Sequence, residues 1–144
     1  MNHPWKALMH QLADELDAAG IPYSFEAATA LLLQGLAMPG MDDIDLAVQW
    51  DRLDDARRLF QEYNPGPVAY HPGWAIFRFE RAGVPVDILS YEATVMADDP
   101  DRLAVIDEGR PLWCKSMAFF YRNSPPGHPR RRLIEEFWAT QGPK

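Results

Sequence analysis

Asp43-Ile44-Asp45-Leu46, followed by Ala47-Val48, places two carboxylates two residues apart at the start of a short apolar run. The run predicts a β-strand over residues 44–48, and side chains two apart on a strand project from the same face. Because two like charges that close repel, one carboxyl group keeps its proton or the pair binds a cation such as Mg²⁺, unless an arginine serves instead. Asp-x-Asp also occurs in surface loops as turn caps and solvated charge, and we assign Asp42 to that class.

A third carboxylate, Asp87, lies inside a second apolar run, Val84-Pro85-Val86-Asp87-Ile88-Leu89. A carboxylate buried without a partner in such a strand is costly, so Asp87 needs one. If its strand lies beside that of Asp45, three carboxylates can hold two divalent ions, one at a triphosphate and one at an attacking hydroxyl. We therefore predict that Asp43, Asp45 and Asp87 are both metal ligands and catalytic residues, with Asp87 or its immediate neighbour as proton acceptor.

The composition is that of an ordinary packed protein. Of 144 residues, 47% are apolar and 24% are charged, which fits one domain with one core. The single cysteine, Cys114, excludes an internal disulfide and a zinc site built on several thiols. No apolar run approaches the ~20 residues that span a bilayer, and residues 1–20 lack a secretory signal. We therefore expect a cytoplasmic protein that makes no membrane contact.

The net charge of −7 argues against broad, sequence-independent binding of nucleic acid, because Lys and Arg contacts to phosphate dominate that affinity. The exception is a local basic run, Arg130 to Arg132. It is either a solvated helix start or, because arginine is unfavourable at the positive end of a helix dipole, a site for an anionic partner such as RNA or another protein. We interpret the four histidines as surface residues without metal-ligand spacing.

Hydrophobic spacing and turn residues predict alternating helices and short strands. The predicted helices cover residues 4–19, 27–34, 51–63, 115–121 and 130–140. The predicted strands cover residues 21–25, 44–48, 74–80, 84–89, 103–106 and 111–113. Gly20 should end the first helix in a left-handed conformation, Asp51 should cap the third, and Arg81-Ala82-Gly83 should form a tight hairpin loop. In the strand before that loop, Ile76 and Arg78 should share one face.

Together these motifs resemble the minimal nucleotidyltransferases of the polymerase-β-like superfamily. That family has a glycine pair at the start of a helix, then an Asp-x-Asp-Leu stretch, then a third Asp on a later strand. Ala27–Gly35 follows the first part in spacing, Asp43–Leu46 matches the second, and Val86–Leu89 matches the third. The resemblance covers about residues 4–90, and Lys115 falls where many relatives carry a lysine on a helix after the sheet.

The resemblance implies one nucleotidyltransferase-like domain over residues 1–144, with a core at about 4–90 and a C-terminal helical extension at about 115–140. Its fold class would be α/β (α+β), a small mixed sheet flanked by helices. It also implies Mg²⁺ or Mn²⁺ as cofactor and an NTP as substrate. The residues expected to contact the nucleotide are Ala28, Thr29 and Lys115.

The glycine motif is degenerate. In the family the two glycines let the backbone approach the phosphates, whereas here Ala27 and Ala28 put methyl groups in that space beside the negative charge of Glu26. In the family an Arg-x-Thr stretch comes just before the Asp-x-Asp-Leu stretch, whereas here Pro39 and Met41 stand at those two positions. The carboxylates alone match the family fully.

Three interpretations follow. The first is an active enzyme that moves a nucleoside monophosphate from an NTP to a hydroxyl of a small molecule, RNA or protein. The second is a degenerate relative that acts as a binding or regulatory module without catalysis. The third is an unrelated α/β domain whose acids are structural.

Two single residues also have alternative roles. Thr29 either contacts a phosphate or packs in the core, and Lys115 is either a nucleotide contact or a solvated helix lysine.

Overall fold

Residues 1–141, the part of the chain that the computed structural model describes, contain five α-helices and seven β-strands. The helices are α1 (Lys6–Ala18), α2 (Ala27–Leu33), α3 (Leu53–Leu59), α4 (Met117–Asn123) and α5 (Pro129–Gln141). The strands are β1 (Tyr23–Phe25), β2 (Ile44–Val48), β3 (Ala69–His71), β4 (Trp74–Arg81), β5 (Val84–Tyr91), β6 (Arg102–Asp107) and β7 (Arg110–Lys115). The predicted mixed α+β class is therefore correct, and residues 142–144 of the predicted domain lie outside the described part.

All seven strands form one mixed sheet in the order β3-β4-β5-β2-β1-β7-β6. The pairs β2–β5 and β1–β7 are parallel, and the other neighbours are antiparallel. The hairpin β6–β7 joins the sheet beside β1, so the sheet extends well beyond the predicted core at 4–90. Parallel pairing of β2 with β5 is the feature that brings the two acidic strands together.

The two faces of the sheet differ in burial. On β4 the side chains of Ala75, Phe77 and Phe79 are buried, whereas Ile76 is half-buried and Arg78 is exposed, as the sequence alternation predicts. Helices cover the buried face: Phe60, just after α3, stacks on Phe79 with ring centroids 4.8 Å apart. The opposite face of β4, β5 and β2 is left partly open, and it carries the polar side chains.

Several predicted boundaries need correction. Asp51 does not cap a helix: residues 50–52 form a 3-10 turn, and α3 begins at Leu53 with no side-chain cap. The hairpin β4–β5 turns on two residues rather than three, Ala82 and Gly83, with φ of 54° and 77°. That pair of positive φ values is typical of a tight type I′ turn. Gly20 follows α1 with φ of 68°, which confirms the predicted left-handed end.

Lys115 was predicted to open a helix, but it ends strand β7. Helix α4 begins two residues later, at Met117, where the Ser116 hydroxyl accepts a hydrogen bond of 3.1 Å from the backbone N–H of Phe119. Strand β3 was missed in the sequence because its residues are all exposed and precede a Pro-Gly turn. None of the helices in residues 1–141 combines the length and apolar character that a bilayer crossing requires.

Candidate active site

Three aspartates meet at the open face of the sheet. Parallel pairing of β2 with β5 puts Asp45 directly beside Asp87, and Asp43, two residues before Asp45, falls on the same side. One carboxylate oxygen from each of Asp43, Asp45 and Asp87 lies within 4.8 Å of the other two. The structure therefore brings together the three residues that the sequence singles out. It leaves Asp42 exposed, as expected.

The environment disfavours negative charge on two of these groups. Burial, together with the carboxylates of Asp43 and Asp87, raises the pKa of Asp45 to about 7. Burial and the nearby Asp87 also raise the pKa of Asp43. In residues 1–141 the Asp45 carboxylate accepts no hydrogen bond, so its oxygens are free to bind a cation. Mg²⁺ prefers carboxylate oxygens as ligands, and a bound cation relieves the repulsion between neighbouring carboxylates. The three aspartates therefore fit such an ion.

Arg78 on β4 is part of the same cluster, and the sequence prediction did not include it. Its Nε donates to Asp87 Oδ1 at 2.6 Å, and its NH2 donates to Asp87 Oδ2 at 2.8 Å. The same NH2 group donates to Asp43 Oδ2 at 2.9 Å. The antiparallel register of β4 and β5 puts Arg78 opposite Asp87, so Arg78, Asp87 and Asp45 form a row across three strands. Arg78 thus neutralises part of the negative charge of the three aspartates, which is the alternative to a bound cation that the sequence left open.

The start of α2, where the degenerate glycine motif lies, has a left-handed backbone. Ala27 has φ of 52°, a left-handed conformation that glycine adopts more readily than alanine. Beside it Glu26 is only 6% exposed, and its Oε2 has no hydrogen-bond partner in residues 1–141. Burial raises the pKa of Glu26 to about 8, although the charge of Lys115 acts in the opposite direction. The negative charge of Glu26, which the sequence predicted beside Ala27 and Ala28, is therefore largely absent at neutral pH.

The three predicted nucleotide contacts occupy different positions. Thr29 is fully buried, and its Oγ1 accepts a 3.1 Å hydrogen bond from the backbone N–H of Asp45, so this hydroxyl joins α2 to the start of β2. Ala28 is half-buried at the start of α2. Lys115 is not a solvated helix lysine: its side chain is 9% exposed, and Nζ is paired with the carboxylate of Asp99. Nζ also lies 4.7 Å from the centroid of the Phe119 ring.

Two cavities adjoin the acidic cluster. The first, about 310 Å³, has polar walls from Glu26, Asp45 and Lys115 and aromatic walls that include Tyr91 and Phe119. The second, about 420 Å³, lies on the side of Asp87 and Arg78 and is also lined by Pro67, Ala69 and Ile76. A larger cavity of about 460 Å³ lies between α2, α5 and the β6–β7 hairpin, and among residues 1–141 its lining contains no titratable side chain.

Two solved protein structures resemble this chain. ANT(2″)-Ia, in complex with adenylyl-2″-tobramycin, superposes with a TM-score of 0.61 at 20% identity, covering 94% of this chain and 90% of that one. The lincosamide antibiotic adenylyltransferase LnuA, bound to lincomycin, gives 0.66 at 12% identity, covering 93% and 96%. The chain has the nucleotidyltransferase fold. No protein-family model matches this nucleotidyltransferase-fold protein, and no curated protein sequence does so either.

One prediction about the histidines is wrong, and one arginine of the basic run has internal partners. His10 is not a surface residue: it is 3% exposed, and its Nε2 lies 2.6 Å from Asp107 Oδ2 in a buried pair. In the basic run, the Arg131 guanidinium donates to the backbone carbonyls of Tyr121 and Ser124 and stacks on the Tyr121 ring. Arg131 therefore joins α4 to α5, whereas Arg132 is exposed at the start of α5.

Proposed function

We propose that this protein is a metal-dependent nucleotidyltransferase that moves a nucleoside monophosphate from an NTP to a hydroxyl group of a small molecule. The observation that carries the proposal is the position of Asp43, Asp45 and Asp87 between two cavities on the open face of the sheet. A divalent ion held by these carboxylates would neutralise triphosphate charge and polarise the reacting oxygens.

The cavity lined by Lys115 suits the nucleotide. Lys115 supplies a cation, and Tyr91 and Phe119 supply aromatic faces on which a base can stack. The backbone at Ala27 keeps a left-handed turn at the head of α2. A neutral Glu26 carboxyl next to it can donate a hydrogen bond, so it opposes a phosphate less than a charged one would.

The cavity beside Asp87 suits the acceptor, because it lies across the cluster from Lys115. In the proposed reaction the acceptor oxygen attacks the α-phosphorus and the bond to the β-phosphate's bridging oxygen breaks. Pyrophosphate leaves, and the hydroxyl proton passes to a carboxylate of the cluster. A cavity of this size takes a drug-sized molecule, and the structural neighbours were solved with tobramycin and lincomycin compounds. The negative net charge and the internal role of Arg131 favour a small acceptor over RNA.

The test is a transfer assay with each NTP, Mg²⁺ and a panel of hydroxyl compounds that includes tobramycin and lincomycin. Mass spectrometry should detect an acceptor that has gained a nucleoside monophosphate. Asp45→Asn should abolish the product. Asp42→Asn, which removes the same charge from an exposed neighbour, should leave it unchanged. Equal product from wild type and Asp45→Asn would contradict the proposal.

A second candidate is a binding module without catalysis, and Arg78 is the observation that favours it. Its guanidinium already takes both oxygens of Asp87, the third acid of the site. Under this alternative the protein binds a nucleotide equally well with and without metal and forms no product. The two candidates therefore differ in the metal dependence of nucleotide binding.

A further inference from the structure

We propose that the acidic cluster takes one divalent ion instead of two, because Arg78 occupies the place of the second. This inference rests on the proposed metal-dependent function and specifies how the site achieves charge balance. The three carboxylates carry three negative charges when ionised, and the Arg78 guanidinium, bonded to two of them, offsets one. The remaining two negative charges match a single Mg²⁺ or Mn²⁺.

The hydrogen bonds determine which oxygens remain for the ion. Both oxygens of Asp87 and Oδ2 of Asp43 accept from Arg78. In the described part of the chain, this leaves Oδ1 of Asp43 and the carboxylate of Asp45 without a donor. These oxygens belong to Asp45 on β2 and to Asp43 just before that strand, and carboxylate oxygens of the two residues lie within 4.8 Å of each other, so they can bind one ion together.

Arg78 is held in this position by the sheet itself. The two-residue turn at Ala82 and Gly83 sets the register in which Arg78 lies directly opposite Asp87. Two parallel N–H···O bonds to one carboxylate form the bidentate arrangement that a guanidinium makes and an ammonium group does not. Arg78 is therefore a positioning residue: it fixes Asp87 and Asp43 and excludes an ion from the space between them.

The experiment is a titration of the metal-free protein with Mn²⁺ alone, in which electron paramagnetic resonance counts free and bound ions and calorimetry measures heat. The variants are Arg78→Gln, which removes the charge, and Arg78→Lys, which keeps the charge without the bidentate geometry. The control is Arg132→Gln, an equal change of charge at an exposed position on α5. Circular dichroism establishes that each variant is folded.

The expected result is one Mn²⁺ per chain for wild type and Arg132→Gln, two for Arg78→Gln, and one for Arg78→Lys. If Arg78→Gln does not fold, wild type is compared with Arg78→Lys instead. The inference predicts that Mn²⁺ binds Arg78→Lys more weakly or gives a shifted electron paramagnetic resonance spectrum. Identical spectra for wild type and Arg78→Lys would overturn it. Two ions in wild type would overturn the inference but leave the proposed function intact. One ion in both wild type and Arg78→Gln would overturn it as well. No binding to any variant would remove the metal site and the proposed function together.

Discussion

Ala27, the residue that begins α2, has a left-handed conformation that glycine adopts more readily than alanine. Its φ of 52° brings an alanine methyl group close to the backbone, which costs about 1 kcal/mol relative to glycine. The neighbouring Ala28 lies in the same helix but has no positive φ. The two alanines of the degenerate motif are therefore not equivalent, although they are adjacent in the sequence.

We predict that Ala27→Gly raises the free energy of unfolding by about 0.5–1 kcal/mol, because it removes the strain of a left-handed alanine. Ala28→Gly should lower the same quantity by about 1 kcal/mol, because glycine is unfavourable inside a helix. Urea denaturation followed by circular dichroism measures both changes. Equal effects of the two substitutions would show that Ala27 is not strained.

The methyl group of Ala27 also lines the cavity proposed for the nucleotide. Replacing Ala27 by glycine removes the methyl group from the wall of the cavity that contains Lys115. We predict that Ala27→Gly binds Mg²⁺–ATP several-fold more tightly than wild type, by calorimetry. The matched Ala28→Gly should show a smaller change or none. Weaker binding by Ala27→Gly would place the triphosphate elsewhere.

At the scale of elements, the β4–β5 hairpin explains why the sequence predicted the carboxylates but not Arg78. With the predicted three-residue loop, Glu80 would pair with Val84 and Asp87 would lie opposite Phe77. The observed two-residue turn shifts the register by one, so that Asp87 lies opposite Arg78. A shift of one residue moves every side chain to the other face relative to its partner. Ala-Gly predicts a type I′ turn less strongly than Asn-Gly does, so the sequence indicated the two-residue turn only weakly.

Gln34, at the end of α2, connects that helix to the strand that carries Lys115. Its Nε2 donates to the carbonyls of Ala30 and Lys115, at 3.0 and 2.8 Å, and its Oε1 accepts from the backbone N–H of Met117 at 2.9 Å. The side chain of Gln34 thus joins the end of α2 to the backbone at the end of β7 and the start of α4. The sequence offered no signal for it, because a glutamine at a helix end is usually solvated.

We predict that Gln34→Ala lowers the free energy of unfolding by about 1–3 kcal/mol, because it leaves buried backbone groups without their partners. Chemical denaturation measures the loss. Gln61→Ala, at an exposed position, should change stability by less than about 0.5 kcal/mol. A Gln34→Ala protein as stable as the Gln61→Ala control would contradict the bridging role.

For the whole molecule, the buried acids make stability depend on pH in an unusual direction. The native protein holds protons on Glu26, with a pKa of about 8, and on Asp45, with a pKa of about 7, that the unfolded chain has released above about pH 5. The native state therefore binds more protons in this range, so stability falls as pH rises. Asp107 acts in the opposite sense, since its ion pairs lower its pKa to about 2, but its effect appears only under more acidic conditions.

We predict that metal-free wild type becomes less stable between about pH 5 and pH 8, and that the double variant Glu26→Gln/Asp45→Asn loses most of this slope. Urea denaturation at several pH values measures it. Asp42→Asn should keep the wild-type slope, since that carboxylate is exposed. Stability that rises over the same range would show that the two acids are ionised in the native protein.

The fold was largely predictable from the sequence, and the site was predictable in part. The strand over 44–48 and its acidic partner strand carry strong local patterns, so both were placed correctly. Burial of Glu26, pairing of Lys115 with Asp99, and the edge strand β3 depend on long-range contacts that local patterns do not contain. These contacts determine the charge of the proposed nucleotide site.

The most direct test of the proposed function is whether nucleotide binding requires a divalent metal ion. Isothermal titration calorimetry of each NTP, with and without Mg²⁺, compares wild type with Asp45→Asn and with the exposed control Asp42→Asn. We predict saturable binding that requires Mg²⁺ in wild type and Asp42→Asn and that is lost in Asp45→Asn. Binding that is unaffected by Mg²⁺ or by Asp45→Asn, or no binding of any NTP to wild type, would contradict a metal-dependent nucleotidyltransferase site.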